Sequence, residues 1–594
     1  MRVPLSWLAE LVDLAPGARG VDVAASLVGV GLEEEALHGS DLTGPLVVGR
    51  VLTIEEAVQK NGKTIRYCTV DVGEHGQRVT DGIPQEIVCG ATNFVVGDLV
   101  VVVLPGAVLP GGFAISARKT YGRVSNGMIC AEDELGLGED HSGIIVLTDY
   151  LGAERAAALQ PGEDAIALLG LDDEVLEVNV TPDRGYCFSM RGIAREYWHS
   201  QGSPAGTFRD PALVSQVPHD TTTGYAVHLT DGAPIEGADG CDRYVARIVR
   251  GVDPSAPSPD WMAARLTQAG MRPISLAVDV TNYVMLLVGQ PLHAFDLQTL
   301  SGSIVVRRAK DGERLTTLDD VERALSVEDL LITDGGQEPL AIAGVMGGAT
   351  SEVTAATTDI LIEAAHFDPV TVARSSRRHR LTTEASKRFE RGVDPKVTAA
   401  AAQLAVDLLV AHGGGVADDG GTDVDLTQGR TAYQLDPDLP ARLVGVPYSR
   451  ERVATILRDL GCGVDDRGDT LSVTPPSWRP DLVDGPDYAE EVARIDGYER
   501  IPSVLPTPTA GRGLTHSQLV RRIVANTLVG RGCTEVLTYP FVAADFGDTL
   551  GLPADDPRRS AVRLANPLSD EAPLLRTSVI DSLVDALRRN VSRG

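Results

Sequence analysis

The chain is poor in cysteine and contains no long apolar runs. Its seven cysteines are scattered over 594 residues without a C-x-x-C pair, which argues against a disulfide scaffold or a zinc knuckle and favours a reducing compartment. Apolar runs such as 99–108 are too short to span a bilayer and are broken by proline and glycine. The first residues lack the apolar core of a signal peptide. We therefore expect a cytoplasmic protein with no membrane partner.

Positive charge is also scarce. Lysine and arginine number 53 against 83 aspartates and glutamates, which gives a net charge of −30. The surface as a whole does not attract nucleic acid, so any RNA contact needs a local basic patch, and 374–391 is the clearest one. The length predicts about three to five domains, and the composition is that of a globular protein.

Short β-rich runs separated by glycine occupy the region between residues 44 and 150. They are 46–54, 64–72, 86–89, 98–104 and 144–147. Their spacing is typical of a small barrel, a fold that presents a face and loops to nucleic acid. Arg118, Lys119 and Arg123 are the candidate phosphate contacts, and the alternative is that they are solvated loop charges.

The regions on either side of the barrel are similar in character. Residues 1–40 are predicted to be helical, and 172–200 return to the same type of sequence. We therefore predict a barrel inserted into a discontinuous domain. The full set of predicted domains is 1–40 with 151–202, 41–150, 212–398, 425–502 and 513–594.

Glu363 stands in the middle of an apolar run, 360–368, that predicts a buried strand. A carboxylate there is costly unless it has a partner. Asp368-Pro369 then predicts the start of a helix. The spacing within that helix puts three arginines on one face, namely Arg374, Arg377 and Arg378. Glu363 either recognises a polar group of a ligand in a pocket, with phosphates bound outside that pocket, or pairs with an arginine to hold two elements together.

Three further motifs precede or follow this run. Arg272 lies in Met271–Ser275, and His293 follows the Gln-Pro turn of 289–296, where a lone histidine is more often a core residue than a catalyst. The glycine-rich 341–348 lets backbone approach a ligand, but it lacks the Lys-Ser/Thr ending of a P-loop, so an NTP site is not expected there. The segment 381–391 completes the set.

Together these ordered motifs resemble the editing domain of the bacterial phenylalanine–tRNA ligase beta subunit family, over roughly 215–395. The resemblance implies that Arg272 and His293 face the tRNA terminus and the water. It implies that Glu363 recognises the hydroxyl of the substrate ring, and that Thr383 and Ala385 are small pocket walls. The segments 89–112 and 118–132 resemble the OB-fold tRNA-binding module of the same subunit.

Residues 430–500 predict a small αβ unit with a helix over 449–460 and a strand over 471–474. Four carboxylates lie close together in this part of the sequence: Asp481, Asp487, Glu490 and Glu491. Oxygen donors without histidine or cysteine suit Mg²⁺, and the spacing resembles the magnesium site of the beta subunit. The alternative is a solvated acidic face that caps the helix.

From about residue 513 the chain resembles the start of the family's catalytically silent synthetase-like domain and predicts a helix over 578–590. The family's chain continues further, so a C-terminally truncated chain is expected, and its assembly with the alpha subunit is left open. The expected fold is multidomain α+β: an OB-fold barrel inserted in an N-terminal α/β domain, an α/β editing domain, a small winged-helix-like αβ domain and the start of a synthetase-like antiparallel α+β domain.

The resemblance implies a ligase subunit that works with an alpha subunit in an alpha2beta2 tetramer. The alpha subunit would carry ATP-dependent attachment of phenylalanine, and this chain would bind tRNA(Phe) and hydrolyse mischarged Tyr-tRNA. An apolar pocket rejects an added hydroxyl by only about 10²-fold, whereas leaving a buried acid unpaired costs about 1–3 kcal/mol or more. The alternatives are a stand-alone aminoacyl-tRNA deacylase and a non-enzymatic tRNA-binding protein.

Overall fold

The structure is a computed structural model that describes residues 1–39, 42–58, 64–75, 84–137, 143–171, 173–213, 217, 223–507 and 511–593. Two compact units are present, Met1–Pro502 and Ser503–Gly594, and each is described by itself. No helix in these described ranges is long and apolar enough to cross a membrane. The predicted boundary between residues 40 and 41 lies outside the described residues.

The N-terminal segment mixes strands with helices. Its elements are β1 (Arg2–Pro4), α1 (Leu5–Leu11), α2 (Gly20–Gly29) and β2 (Glu33–His38). The prediction of a helical segment was therefore wrong at both ends, where short stretches pair as strands instead. Trp7 and Leu8 of α1 are fully buried, and Trp7 stacks on Tyr283 with ring centroids 5.0 Å apart.

The next region is built on five antiparallel strands in a nearly closed sheet. The elements are β3 (Leu46–Val58), β4 (Thr64–Asp71), β5 (Gln85–Cys89), β6 (Leu99–Val103), β7 (Val108–Leu109), β8 (Phe113–Ala114), β9 (Arg118–Thr120), β10 (Arg123–Ser125), β11 (Met128–Ile129), α3 (Leu147–Leu151), α4 (Ala153–Ala158) and α5 (Ala165–Leu168). The sheet order is β11-β6-β3-β4-β5. The backbone N–H of Asn126 donates to the Glu86 carbonyl at 2.8 Å, and this bond brings the two edges together.

One predicted strand of this region was wrong. Residues 144–147 contribute a single bridge, Val146 to Val100, and then enter α3 at Leu147. The fifth strand is β11, which pairs with β6 at Met128 and Val103. The apolar run at 144–147 is buried by packing against the sheet rather than by pairing within it.

The chain then returns to the N-terminal strands. β12 (Val175–Asn179) pairs with β1 in the register Val3 to Leu176 and lies between β1 and β2. α6 (Met190–Ser200) follows and contributes Ile193 and Tyr197 to the same core. Segments on both sides of the barrel-like sheet thus share one small sheet.

The region from 227 to 425 contains two five-stranded sheets. Its elements are β13 (Val227–Thr230), β14 (Cys241–Arg250), α7 (Asp260–Gln268), α8 (Leu276–Val288), β15 (Leu292–Asp296), β16 (Ile304–Arg308), β17 (Arg314–Thr316), β18 (Glu322–Ala324), β19 (Leu330–Asp334), β20 (Glu338–Ile342), β21 (Met346–Gly347), β22 (Ile360–Phe367), α9 (Pro369–His379), α10 (Glu384–Phe389), α11 (Thr398–Gly413), β23 (Val416–Ala417) and β24 (Thr422–Asp425). One sheet runs β13-β16-β19-β20-β21, and the other runs β15-β22-β14-β23 with β24 also on β14.

Strand β22 is buried on both faces, as its sequence predicted. Ile360 and Ile362 pack in the core formed with α8 and α11, whereas Leu361 and Ala365 pack in the core formed with the other sheet. Because side chains alternate along a strand, Glu363 shares the face of Leu361 and Ala365. The predicted helix start is confirmed: Asp368 accepts from the N–H of Thr371 at 2.7 Å, with proline at the first helical position.

The last part of the first unit is a small αβ arrangement. Its elements are β25 (Tyr433–Leu435), α12 (Leu439–Val444), α13 (Arg450–Asp459), β26 (Gly463–Asp466), β27 (Leu471–Thr474) and α14 (Gly485–Asp496), with the sheet order β25-β27-β26. The predicted helix and strand are both confirmed, and Ser449 caps α13.

The second unit carries α15 (His516–Gly530), β28 (Phe541–Val542), α16 (Phe546–Thr549), β29 (Leu574–Leu575) and α17 (Val579–Val591). β28 and β29 pair antiparallel. The predicted C-terminal helix is confirmed, and Ser578 caps it by accepting from the N–H of Ile580 at 3.2 Å.

Candidate functional site

Glu363 is a buried acid with one uncharged partner. Its side chain points from β22 toward the sheet β13-β16-β19-β20-β21 and is 5% exposed. The hydroxyl of Tyr244 on β14 donates to Oε2 at 2.8 Å, and within the described ranges no other hydrogen bond reaches this carboxyl. Burial raises the pKa of Glu363 to about 7, against the opposing effect of the Tyr244 hydrogen bond. The acid is therefore neither in open solvent nor locked to a guanidinium.

His293 lies directly opposite Glu363 in the register of β15 and β22. Directly opposed residues of an antiparallel pair share a face of the sheet. The Nε2 atom of His293 is buried and has no hydrogen-bond partner among the residues the structure describes. Burial lowers the pKa of the ring to about 4, so the imidazole is neutral at physiological pH. A neutral histidine with an unused nitrogen thus faces the same side as the acid.

The segment that ends β20 and forms β21 joins the other predicted pocket residues to His293. The hydroxyl of Thr383 donates to the Val345 carbonyl at 3.0 Å and also caps α10. Two residues further on, a Cβ added at Gly347 would stand 2.6 Å from Cε1 of His293. Ala385 packs against the same core. Glycine at 347 is therefore required for the histidine ring to occupy its place.

Arg272 is not brought into this group. It is exposed in the loop between α7 and α8, and no hydrogen bond or ion pair joins it to the described residues. Asp279, buried at the start of α8, holds the loop by accepting from the N–H of Ile274 at 2.8 Å. The assignment of Arg272 to the tRNA terminus stays a prediction from the resemblance.

The three arginines of α9 differ in their surroundings. Arg374 and Arg378 both pair with Glu328, and Arg378 also pairs with the buried Asp329. Arg377 is exposed and has no partner in the described part of the chain. The predicted cationic face is partly neutralised: of its three arginines, Arg377 is the one with no charged partner among the described residues.

The three basic residues predicted to contact phosphates in this region lie on the β9–β10 hairpin, which forms a separate two-stranded sheet. Arg118 and Lys119 are exposed and stand opposite Ser125 and Val124. Arg123 donates to Glu55 at 2.7 Å and lies over the Tyr67 ring at 4.2 Å. Arg118 and Lys119 have no carboxylate partner in the described part of this region and can meet an anion, whereas Arg123 already has one.

The four predicted magnesium ligands are engaged by other groups. Glu491 is fully buried and accepts hydrogen bonds from three arginines: Arg184 at 2.9 Å, Arg479 at 2.7 Å and Arg494 at 2.7 and 3.1 Å. Both oxygens of Asp481 accept from Arg479. Glu490 accepts from Arg184 and Tyr498, and Asp487 accepts backbone N–H groups at the start of α14.

This arrangement does not fit a divalent cation. A cation needs several oxygen lone pairs that converge on one point, and in the described residues no group of three or more His, Cys, Asp or Glu side chains does so. Burial opposes ionisation of Glu491, but Arg494, Arg479 and Arg184 outweigh it and hold its pKa well below the usual range. The same guanidiniums would repel Mg²⁺. The carboxylates neutralise buried arginines instead.

Sequence reasoning missed two sets of residues, Tyr244 and the three arginines around Glu491. A tyrosine among the β-forming residues of 241–250 indicates that its hydroxyl needs a partner where it is buried, but it does not identify Glu363. Arg184 lies 307 residues from Glu491 and Arg479 lies 12 residues away, before the helix of Glu491, so helical spacing reveals neither of them.

Four protein-family models match the chain. They are a putative tRNA binding domain over residues 46–153, a B3/4 domain over 240–414, a tRNA synthetase B5 domain over 433–498 and a phenylalanyl tRNA synthetase beta chain CLM domain over 501–594. Glu363, His293, Thr383 and Ala385 lie in the B3/4 match, and Glu491 lies in the B5 match.

Curated relatives match the whole chain. Phenylalanine–tRNA ligase beta subunits from Streptomyces avermitilis, Leifsonia xyli and Thermobifida fusca are 55%, 53% and 54% identical over 100% of this chain, which covers 69%, 70% and 69% of their length. A solved N-terminal fragment of the Pyrococcus horikoshii phenylalanyl-tRNA synthetase beta subunit matches at 15% identity over 55% of this chain and 88% of that one, with a TM-score of 0.29. From the identity and coverage of the three relatives, the chain belongs to the family of phenylalanine–tRNA ligase beta subunits.

Proposed function

We propose that this chain is the proofreading subunit of a phenylalanine–tRNA ligase, and that the residues around Glu363 and His293 hydrolyse tRNA mischarged with tyrosine. The observation that carries the proposal is the register of β15 and β22, which sets His293 directly opposite Glu363. It places an acid without a counter-charge beside a buried ring nitrogen without a partner.

Glu363 supplies the recognition of tyrosine. A tyrosyl ring that enters this site brings a hydroxyl that donates to the carboxyl, whereas a phenylalanyl ring brings none. A hydrogen bond to a charged group is worth about 1.5–3 kcal/mol, which corresponds to about ten- to a hundredfold in binding. A tyrosyl side chain differs from the correct phenylalanyl side chain by an added hydroxyl. A second site that binds this hydroxyl therefore removes the mischarged tRNA that the synthetic pocket does not exclude.

His293 orients the reacting groups rather than acting as a strong base. With its pKa lowered to about 4 by burial, the ring is neutral and offers one nitrogen as a hydrogen-bond partner. Hydrolysis of an aminoacyl ester needs a water held against the carbonyl carbon, and the unused Nε2 is suited to hold that water or the terminal ribose. Thr383 and Ala385 limit the width of the pocket.

Phosphates of tRNA(Phe) are expected at the exposed basic residues. Arg118, Lys119 and Arg377 lack carboxylate partners among the described residues and are the strongest candidates. Arg123, Arg374 and Arg378 are already paired with acids and contribute less. Arg272 is exposed and is assigned to the tRNA terminus. In this proposal the nearly closed sheet is an OB-fold.

The partner is an alpha subunit that carries the synthetic site, in an alpha2beta2 assembly. ATP and its Mg²⁺ belong to that site, because on this chain Asp481, Glu490 and Glu491 accept from arginines and Asp487 accepts backbone N–H groups. The 433–496 region is assigned as a winged-helix-like unit, and the second unit as the start of a synthetase-like domain. Co-purification with an alpha chain separates this assignment from a stand-alone deacylase or a simple tRNA-binding protein.

The test is Glu363→Ala and the isosteric Glu363→Gln in the enzyme assembled with its alpha subunit. Deacylation of Tyr-tRNA(Phe) should fall about tenfold or more, mischarged tRNA should accumulate, and attachment of phenylalanine should stay unchanged. Glu338→Ala is the matched control, since Glu338 is exposed on β20 of the same region. Unchanged deacylation in both Glu363 variants would remove the assignment.

A further inference from the structure

Tyr244 is the structural partner of the recognition acid. It is fully buried on β14, where Ala246, two residues further along, stands opposite Glu363 on β22. The tyrosine therefore reaches the acid along the diagonal of the strand pair and donates its hydroxyl hydrogen to Oε2 at 2.8 Å. In the described ranges nothing else donates to this carboxyl, so Oε1 is left without a hydrogen bond.

We propose that Tyr244 is a positioning residue of the editing site, which permanently occupies one oxygen of Glu363 and leaves the other as the acceptor for the phenol of a misattached tyrosine. The inference deepens the proposed function and rests on it. Tyr244 carries the same phenol that the site has to detect, held on the protein side of the acid.

The first consequence concerns the geometry of recognition. A carboxylate held only by its own side-chain torsions presents two equivalent oxygens and several rotamers. The hydrogen bond to Oε2 fixes the plane of the group, so that one oxygen has a defined direction. With a phenylalanyl ring bound, one oxygen of Glu363 is then unpaired rather than two. In the empty site too, the free-energy cost of burying the acid is smaller.

The second consequence concerns the charge of the acid. Burial raises the pKa of Glu363 to about 7, and the bond from Tyr244 opposes that rise by stabilising the ionised form. The titratable groups around it carry no charge at neutral pH. His293 has its pKa lowered to about 4, burial raises the pKa of Cys241 well above its usual range, and the pKa of Tyr225, beside Tyr244, is also raised by burial. Among the described residues, no charged group of the sheet β13-β16-β19-β20-β21 forms a hydrogen bond with Glu363.

Removal of the Tyr244 hydroxyl should therefore shift Glu363 toward its protonated form, which is the weaker acceptor. The test is Tyr244→Phe in the assembled enzyme, with deacylation of Tyr-tRNA(Phe) measured across a pH series on both sides of neutrality. At pH 7 the rate should fall about fivefold, and the pH midpoint of the rate should move about one unit upward, so that activity returns at higher pH. Tyr225→Phe is the control: its hydroxyl donates to the Gly302 carbonyl at 2.5 Å, not to Glu363, and it should leave the profile unchanged.

A direct measurement of the carboxyl keeps the test independent of activity. The protonated carboxyl stretch of Glu363, identified by its loss in Glu363→Gln, should titrate at higher pH in Tyr244→Phe. Fluorotyrosine placed at position 244 is a stronger donor of nearly the same size, and it should move the titration to lower pH without a change in packing.

The outcomes separate this inference from the proposed function. If the unsubstituted enzyme does not deacylate Tyr-tRNA(Phe), the proposed function fails, and the infrared titration still shows whether Tyr244 controls the acid. If deacylation depends on Glu363 but Tyr244→Phe keeps the original pH midpoint, the positioning role is overturned, whatever the deacylation rate of that variant. An infrared titration that neither variant moves overturns it as well.

Discussion

Glu363 and Glu491 are both buried glutamates, and their surroundings are opposite. Glu363 is 5% exposed and accepts one hydrogen bond from a neutral hydroxyl, whereas Glu491 is 0% exposed and accepts from three guanidiniums. Burial raises the pKa of Glu363 to about 7, while around Glu491 the arginines overcome the effect of burial and hold the pKa well below its usual range.

The difference shows that burial of a charge does not by itself identify a functional site. Every acceptor position of Glu491 is used, so it has nothing left to offer a ligand. It joins α14 to Arg184 from the N-terminal region, and Arg494 extends the contact to Glu196. Glu363 has an oxygen to spare and no neighbouring charge to neutralise. An incompletely satisfied acid is costly to the fold and available to a substrate.

The largest effect should come from Glu491→Gln. Removal of one partner of a buried ion cluster leaves arginines without a counter-charge and should cost about 3–5 kcal/mol of unfolding free energy. Denaturant unfolding of the full chain measures this loss. Glu490→Gln is the control on the same helix, because its side chain is 47% exposed and a half-exposed pair contributes about 1 kcal/mol or less. Equal losses in the two variants would contradict the contrast drawn with Glu363.

Glu363→Gln should increase the free energy of unfolding, which is the opposite of the effect of Glu491→Gln, and the increase should depend on pH. The folded pKa of about 7 lies above the unfolded value of about 4.3. The wild-type acid therefore contributes fully below the unfolded value, and its contribution is lost as the pH rises toward the folded value. Since glutamine does not ionise, the variant should gain on the order of 3 kcal/mol relative to wild type between these limits, with no further gain above them.

Unfolding free energies of both proteins at a series of pH values measure this gain. Glu338→Gln, on the exposed part of β20, should show a constant difference from wild type across the same series. A pH-independent difference for Glu363→Gln would mean that Glu363 is not held in a pKa-raising environment.

The sequence was informative where structure depends on neighbours along the chain. The strand over 360–367 and its Asp368 cap follow from an apolar run and one Asp-Pro step, and both are present. The strand predicted over 144–147 failed because an apolar run reports burial, and tertiary packing decides whether buried residues pair or pack.

The partners of the two glutamates lay beyond local reasoning. Tyr244 is 119 residues from Glu363, and their contact depends on the register of β14 against β22. The carboxylates at 487, 490 and 491 have the same spacing whether they bind a metal or arginines, and Arg184 comes from 307 residues away. Motif resemblance identified Glu363 and His293 as a candidate pair, but it did not reveal the hydrogen bond and the strand register that position them.

Gly347→Ala should have a smaller effect on stability and a specific effect on editing. The added methyl would stand 2.6 Å from Cε1 and 3.0 Å from Nε2 of His293, so the ring has to move. Overpacking of this kind costs about 1–3 kcal/mol, and Tyr-tRNA(Phe) deacylation should fall while phenylalanine attachment stays unchanged. Both assays are run beside Gly429→Ala, where an added Cβ meets no atom within 4 Å. Normal deacylation by Gly347→Ala would show that the ring position of His293 does not matter for hydrolysis.

The smallest effect is expected from magnesium. If a divalent ion bound the native carboxylates at 481, 487, 490 and 491, it would stabilise the fold by about 2.7 kcal/mol at a hundredfold excess over its dissociation constant. Because arginines, Tyr498 and backbone N–H groups already donate to these carboxylates, thermal unfolding of the purified chain should be the same with added Mg²⁺, with a chelator, and with a sodium salt of matched ionic strength. The sodium control is needed because salt alone weakens the partly exposed pairs. A rise in the unfolding temperature with Mg²⁺ alone would mean that the ion displaces a guanidinium, and Glu491 would then resemble Glu363 in having an oxygen available to a ligand.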